Sequence, residues 1–105
     1  MLASDFISDN LHRSVSVSEL ADITAMSDRT LLRHFKTHFG MSPNQYQRVK
    51  RLEEVRRTLA SSSPTAGLVT DTALAYGFSH LGRFASEFQD HFGILPRDLL
   101  AAKNW

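Results

Sequence analysis

The sequence predicts an all-α chain of about seven helices in two similar halves. Three observations carry this. Apolar residues recur with a helical period along the whole chain, and no segment alternates convincingly as a strand. A Phe-Gly-x-x-Pro block occurs twice, as Phe39-Gly40 with Pro43 and as Phe92-Gly93 with Pro96. Between the halves, residues 43–60 hold good helix formers with no internal Gly or Pro after the first position, and the Ser/Pro/Gly-rich stretch 61–67 then breaks the run.

Each element follows from its own punctuation. Phe6, Ile7, Asn10 and Leu11 suggest a short first helix ending near His12. Ser16 opens an S-x-x-E capping box with Glu19, and Val17, Leu20, Ala21 and Ile23 form the apolar stripe of a second helix ending near Ala25. Ser27 is placed as the N-cap of a third helix whose buried face is Leu31, Phe35 and Phe39, with Gly40 as its stop. Ser42-Pro43-Asn44-Gln45 offers a cap, Pro at the first helical position and Gln three residues after the cap, which starts the long helix 43–60. Leu68, Val69, Ala73, Leu74 and Tyr76 suggest a fifth helix stopped at Gly77. Leu81, Phe84, Ala85, Phe88 and Phe92 mark a sixth, stopped at Gly93, and Pro96 starts a short last helix with Leu99 and Leu100.

Self-comparison shows an internal repeat. Leu31, Phe35, Phe39, Gly40 and Pro43 recur 53 residues later as Phe84, Phe88, Phe92, Gly93 and Pro96. Ala21, Ala25, Met26 and Ser27 recur 52 residues later as Ala73, Gly77, Phe78 and Ser79, so the second copy has one extra residue after its turn. Helix, tight turn and longer helix is the plan of a helix-turn-helix. Gly77 suits the turn because glycine tolerates positive φ, and Ala25 in the first copy departs from that preference. The expected organisation is a first subdomain at 1–60 that includes the linker helix 43–60, a linker at 61–67, and a second subdomain at 68–105.

Composition narrows the function classes. The 105 residues suit one domain or two very small ones. There is no cysteine, which excludes disulfides, thiolate nucleophiles and Cys-ligated zinc. No apolar run reaches the roughly 20 residues of a membrane span, and the N-terminal MLASDFISDN carries acids where a signal peptide carries Lys or Arg. Net charge is only +1, yet it is uneven: nine Lys/Arg stand against seven Asp/Glu in residues 1–60, and three against four in 61–105. The densest basic stretch is Arg48, Lys50, Arg51, Arg56 and Arg57, interrupted by Glu53 and Glu54. It reads as a solvated helix face, with contact to a nucleic-acid backbone as the other option for Arg48, Lys50 and Arg51.

The repeat also carries a family resemblance. Glu19-Leu20-Ala21, Ser27, Leu31, Arg33, Phe35, Lys36, Phe39-Gly40-Met41-Ser42-Pro43 and Tyr46 resemble the DNA-binding domain of AraC-type transcriptional regulators. So do Ala73-Leu74-Ala75-Tyr76-Gly77-Phe78-Ser79, Phe84, Phe88 and Phe92-Gly93 with Pro96, and residues 78–84 are similar to the XylS-like version. The resemblance covers roughly residues 5–100. It implies an all-α, homeodomain-like fold of two helix-turn-helix subdomains on a long linker helix, with the second helix of each motif in the major groove. Family members usually carry a separate effector-binding or dimerisation domain, so the chain is expected to be an excised fragment or a truncated regulator. The partners implied are double-stranded DNA at an operator or promoter, RNA polymerase and that missing domain. The location implied is the bacterial cytoplasm, and no cofactor or membrane is expected.

A helical wheel selects the contact residues independently. With Leu31, Phe35 and Phe39 inward, the third helix turns Arg29 and Arg33 outward, flanked by Thr30, Lys36 and Thr37. Arginine can donate two bonds to guanine O6 and N7. The bland alternative is two solvated arginines, and the repeat favours the DNA reading. Lys36 is placed nearer phosphate. On the sixth helix the outward face is Gly82, Ser86 and Gln89, flanked by Arg83 and Asp90, and Arg83 is the strongest candidate. His80 is either a donor to phosphate or a base edge, or a helix cap or simply exposed. Ser27 and Ser79 sit where helix-terminal amides become available to phosphate, whereas Ser42 more simply caps its own helix.

Other functions are weaker. His34 and His38 stand at i and i+4, but no third ligand is evident and no Glu follows in the metalloprotease pattern, so no metal site is expected. There is no nucleophile turn and no phosphate-binding Gly loop, so no enzyme is expected. The serious competitor is a protein-interaction module that has lost DNA binding, consistent with the weakly basic second half. Arg29 and Arg33 on one face argue against it. An 18-residue linker helix would span roughly 27 Å, comparable with the roughly 34 Å between successive major-groove faces. The first motif is expected to anchor a monomer and the second to add less.

Overall fold

The computed structural model of the protein describes residues 2–102, and the outermost ends of the two expected subdomains, residues 1 and 103–105, lie outside these. Among the described residues there are seven helices and no strand: α1 (Ala3–Asp9), α2 (Val17–Thr24), α3 (Asp28–Phe39), α4 (Pro43–Ser61), α5 (Leu68–Ala75), α6 (Leu81–Phe92) and α7 (Pro96–Ala101). They form two compact units, one up to Arg51 and one from Leu52 onward, so the boundary falls inside α4. The reason lies in the side chains of α4. Tyr46 packs with the first core, while Leu52, Val55 and Leu59 belong to the second.

In the first unit, Ile7, Val15, Leu20, Leu31 and Phe35 are buried together. α1 ends earlier than expected. The Asn10 side-chain amide donates to the Phe6 carbonyl at 2.8 Å, taking the acceptor that the next helical turn would use, and Asn10 itself leaves helical geometry at φ −129. The Ser16 cap forms, its hydroxyl accepting from the Glu19 amide at 3.0 Å. The reciprocal half of that capping box does not, because the Glu19 carboxylate pairs with Arg13 through two bonds of 3.0 and 2.7 Å. That double hydrogen bond holds the Glu19 carboxyl below its ordinary range. Ile23 departs from the expected stripe and is exposed. Phe39 is also 36% exposed, at the rim of the core, with its ring against Tyr46 and Phe35 at 4.5 and 5.2 Å.

The loop between α1 and α2 is tied down by α4. Gln47 pairs with the Val15 backbone in both directions, accepting from its N–H at 2.8 Å and donating to its C=O at 2.7 Å. One turn on, Arg51 donates to the carbonyls of Leu11, at 3.0 Å, and Arg13. Both side chains are buried. Ser42 and Gln45 make the full reciprocal capping box at the start of α4, with bonds of 3.0 and 3.1 Å.

In the second unit, Val55, Leu59, Ala73, Phe84 and Phe88 form the buried centre. The repeat is visible in its turns. The Met26 amide bonds to the Ala21 carbonyl at 3.1 Å, and the Phe78 amide bonds to the Ala73 carbonyl at 3.0 Å. Gly40 and Gly93 close α3 and α6 at φ 70 and 76. At the tight turns Gly77 has φ 85, but Ala25 has φ 58, the one non-glycine at positive φ among the described residues. A left-handed L-residue costs roughly 1–2 kcal/mol, partly offset in a Gly replacement by the roughly 0.4–1 kcal/mol of added unfolded-chain freedom. Ala25 is exposed, so its methyl has little packing to lose. Ala25→Gly is therefore expected to stabilise the first unit by about 0.5–1 kcal/mol, a rise of several degrees in thermal unfolding followed by circular dichroism. An unchanged or lower midpoint would show that this turn stores no strain.

Candidate nucleic-acid interface

The second helix of each motif carries the candidate residues. α3 is fixed from below by Leu31 and Phe35, both fully buried. Its N-terminus is capped by Ser27, whose hydroxyl accepts from the Thr30 amide at 3.1 Å and donates to the Thr30 hydroxyl at 2.9 Å. Thr30 accepts in that second bond and keeps its own O–H as a donor. Arg29, Thr30, Arg33, Lys36 and Thr37 are all exposed. Arg29, Arg33 and Lys36 follow one another at helical spacings of four and three, so their charges share one side of α3.

Five cations of the first unit thus fall into two kinds. Arg13 is paired with Glu19, and Arg51 is committed to backbone carbonyls. Among the described residues, no salt bridge holds Arg29, Arg33 or Lys36. The expectation for the basic stretch on α4 needs correcting at Arg51, which is neither a solvated cation nor a backbone-contact candidate. It is 8% exposed, and burial first, then the neighbouring Arg48 charge, lower its pKa. Further along, Arg57 pairs with Glu54, the Lys50 ammonium lies 5.5 Å from the centre of the Tyr46 ring, and Arg56 lies 5.4 Å from that of Phe92.

α6 is built in the same way on Phe84 and Phe88 but presents different chemistry. Arg83 and Ser86 are exposed on it, as are Ser79 and His80 just before it. The extra residue of the second turn places His80, rather than Ser79, at the N-cap, the counterpart of Ser27. His80 makes no side-chain cap bond, which removes capping as its role, and the first turn of α6 holds no acid. Gly82 stands where α3 has Arg29. A Cβ there would meet nothing within 4 Å, so packing does not explain the glycine.

His34 and His38 lie with ring centres 4.3 Å apart and their planes tilted by 47° on α3. No group of three or more His, Asp or Glu that could hold a metal ion occurs among the described residues. Sequence reasoning passed over Gln47, whose burial has no local signal: a glutamine in a helix rich in polar residues looks like any surface position.

Comparison with known proteins places these features. A helix-turn-helix domain family matches residues 20–102. The XylDLEGF operon transcriptional activator 2 of Pseudomonas putida is 43% identical over 96 residues, 91% of this chain and 61% of that protein. Longer activators of the same name from that organism are 43% identical over 30% of their length. The chain therefore spans between about a third and three fifths of these curated relatives. Among solved structures, an AraC-type regulator from Chromobacterium violaceum superposes with a TM-score of 0.87 at 30% identity, over 98% of this chain and 89% of that one. The DNA-binding domain of AdpA, a global transcriptional factor solved in complex with a target DNA, gives 0.79 at 27% identity, over 95% and 87% of the two chains.

Proposed function

The chain belongs to the AraC-type family of helix-turn-helix transcriptional regulators, and from that premise we propose that it binds double-stranded DNA sequence-specifically, placing α3 and α6 in successive major grooves. The observation that carries this is the exposed, cationic side of α3. Arg29, Arg33 and Lys36 are held outward by a buried Leu31 and Phe35, and no salt bridge among the described residues occupies them. Arg29 and Arg33 have the donor geometry for guanine edges. Lys36, Thr30 and Thr37 stand beside them with donors suited to phosphate, and Ser27 holds the first turn of α3 in place.

The second motif contributes Arg83, Ser86, His80 and Ser79, with less charge. It adds less to affinity, and its donors suit neutral groups as well as phosphate. The operator or promoter is one partner. RNA polymerase and an effector-binding or dimerisation domain are the others, the latter supported by the greater length of the relatives. Among the described residues no helix is long and apolar enough to cross a membrane, and we place the protein in the cytoplasm with the DNA it binds.

The experiment is selection of duplexes from a random pool, followed by gel shifts across a salt series. Affinity should fall steeply with salt as phosphate counterions are released. Arg33→Ala is expected to cost roughly 1–3 kcal/mol and to relax preference at one or two base pairs, whereas Lys36→Ala weakens all sequences alike and lowers the salt slope by about one. If the Arg33 variant keeps both its affinity and its sequence preference, Arg33 reads no base. A chain that selects no duplex at any salt is a protein-interaction module instead.

A further inference from the structure

Leu32 is a large apolar side chain on the flank of α3, between its buried and outward faces, 45% exposed and outside the core cluster of the first unit. Folding gives no reason for it. Its position does: Leu32 stands three residues after Arg29 and four before Lys36, so it flanks the cationic stripe one turn from each of those two cations. Leu2, Ile23, Leu74 and Leu81 are also exposed, but none has a Lys or Arg three or four residues away, and Phe39, three residues after Lys36, has its ring against Phe35 and Tyr46. An apolar side chain beside cations on a helix fits a ligand that is anionic at its margins and carries an apolar knob next to them. The major groove offers one such group, the C5 methyl of thymine, set between two phosphate backbones.

We propose that Leu32 is a specificity-determining residue that packs against the C5 methyl of a thymine in the groove entered by α3. The assignment rests on the DNA-binding reading above and adds an apolar determinant to its polar ones. A thymine is required near the base pair that Arg29 contacts, because Leu32 stands one turn from Arg29 on the helix surface. Cytosine offers no methyl there, and uracil differs from thymine by that methyl alone.

The test uses the whole chain and a duplex recovered by selection. Each thymine is replaced singly by deoxyuridine, and binding is measured for the parent chain and for Leu32→Ala. One replacement should weaken the parent about fourfold, the worth of one buried methyl-sized group. Leu32→Ala should lose at least that factor on the thymine duplex and be indifferent to the same uracil. Because Leu32 is exposed and alanine favours helix, the variant should retain the parent's circular dichroism. If no uracil weakens the parent, or if Leu32→Ala stays equally sensitive to it, the assignment of Leu32 is overturned while DNA binding stands. If no duplex can be selected at all, the DNA-binding reading falls and this one with it.

Discussion

Phe35→Ala is expected to destabilise the first unit by about 3–5 kcal/mol, and Phe88→Ala the second by a similar amount. Both rings are fully buried. Phe35 meets Tyr46 edge-on at 5.4 Å and Phe39 at 5.2 Å, and Phe88 lies between Phe84 at 5.8 Å and Phe92 at 4.6 Å. Deleting either ring removes its burial energy and the aromatic contacts it organises, and leaves a cavity that helices pinned at both ends by caps and turns cannot readily close. The size of the units decides how severe this is. At roughly 0.05–0.15 kcal/mol per residue, a unit of some fifty residues holds only about 2.5–7.5 kcal/mol. The substitution therefore takes most of the available stability. Circular dichroism melts give the loss, and hydrogen exchange at the amides of α3 or α6 localises it. A midpoint within a degree or two of the parent would mean that the ring does not organise its core.

The elements that were legible in the sequence are those whose signals are local. Ser27, Ser42 with Gln45, Gly40, Gly77 and Gly93 mark helix ends by side-chain chemistry or backbone freedom within a few residues, and the structure uses each of them at or beside a helix end. The repeat supplied the remainder, since the same core positions recur at a fixed offset. The illegible features depend on partners distant in sequence or on competition between partners. Glu19 had a cap to complete, but Arg13 took its carboxylate. Phe39 follows the period of the buried face yet sits at its rim, where only the position of Tyr46 shows how much of it is covered. Ser79 matches Ser27 in the turn alignment, while the single inserted residue hands the cap position to His80. For the candidate site, the wheel identified the outward arginines, but it gave Leu32 no meaning until its exposure beside them was visible.

Gln47 and Arg51 show the same limit most sharply, and they carry the second large effect. Gln47→Leu is expected to cost about 2–5 kcal/mol although it replaces a buried polar residue by an apolar one of similar size. The Val15 N–H and C=O both pair with the Gln47 amide. Leucine would leave two backbone groups unsatisfied in a buried place, at roughly 1–3 kcal/mol each. Only replacement of both partners can make such an exchange neutral, and here one partner is backbone. Arg51→Met should behave similarly, since the carbonyls of Leu11 and Arg13 lose their donor. Arg57→Ala is the control. It removes an exposed pair with Glu54 and is expected to leave the melting midpoint close to the parent's, because a solvated ion pair contributes little. Thermal and urea unfolding of the three variants should rank Gln47→Leu and Arg51→Met well below Arg57→Ala. The loop that these two side chains hold leads directly into α2, on which α3 packs within the same core. Loosening it should raise hydrogen exchange at the amides of residues 15–24 before it affects α6. If Gln47→Leu melts within about 1 kcal/mol of the parent, water must reach the Val15 backbone. The α1–α2 loop would then be positioned by its apolar contacts alone.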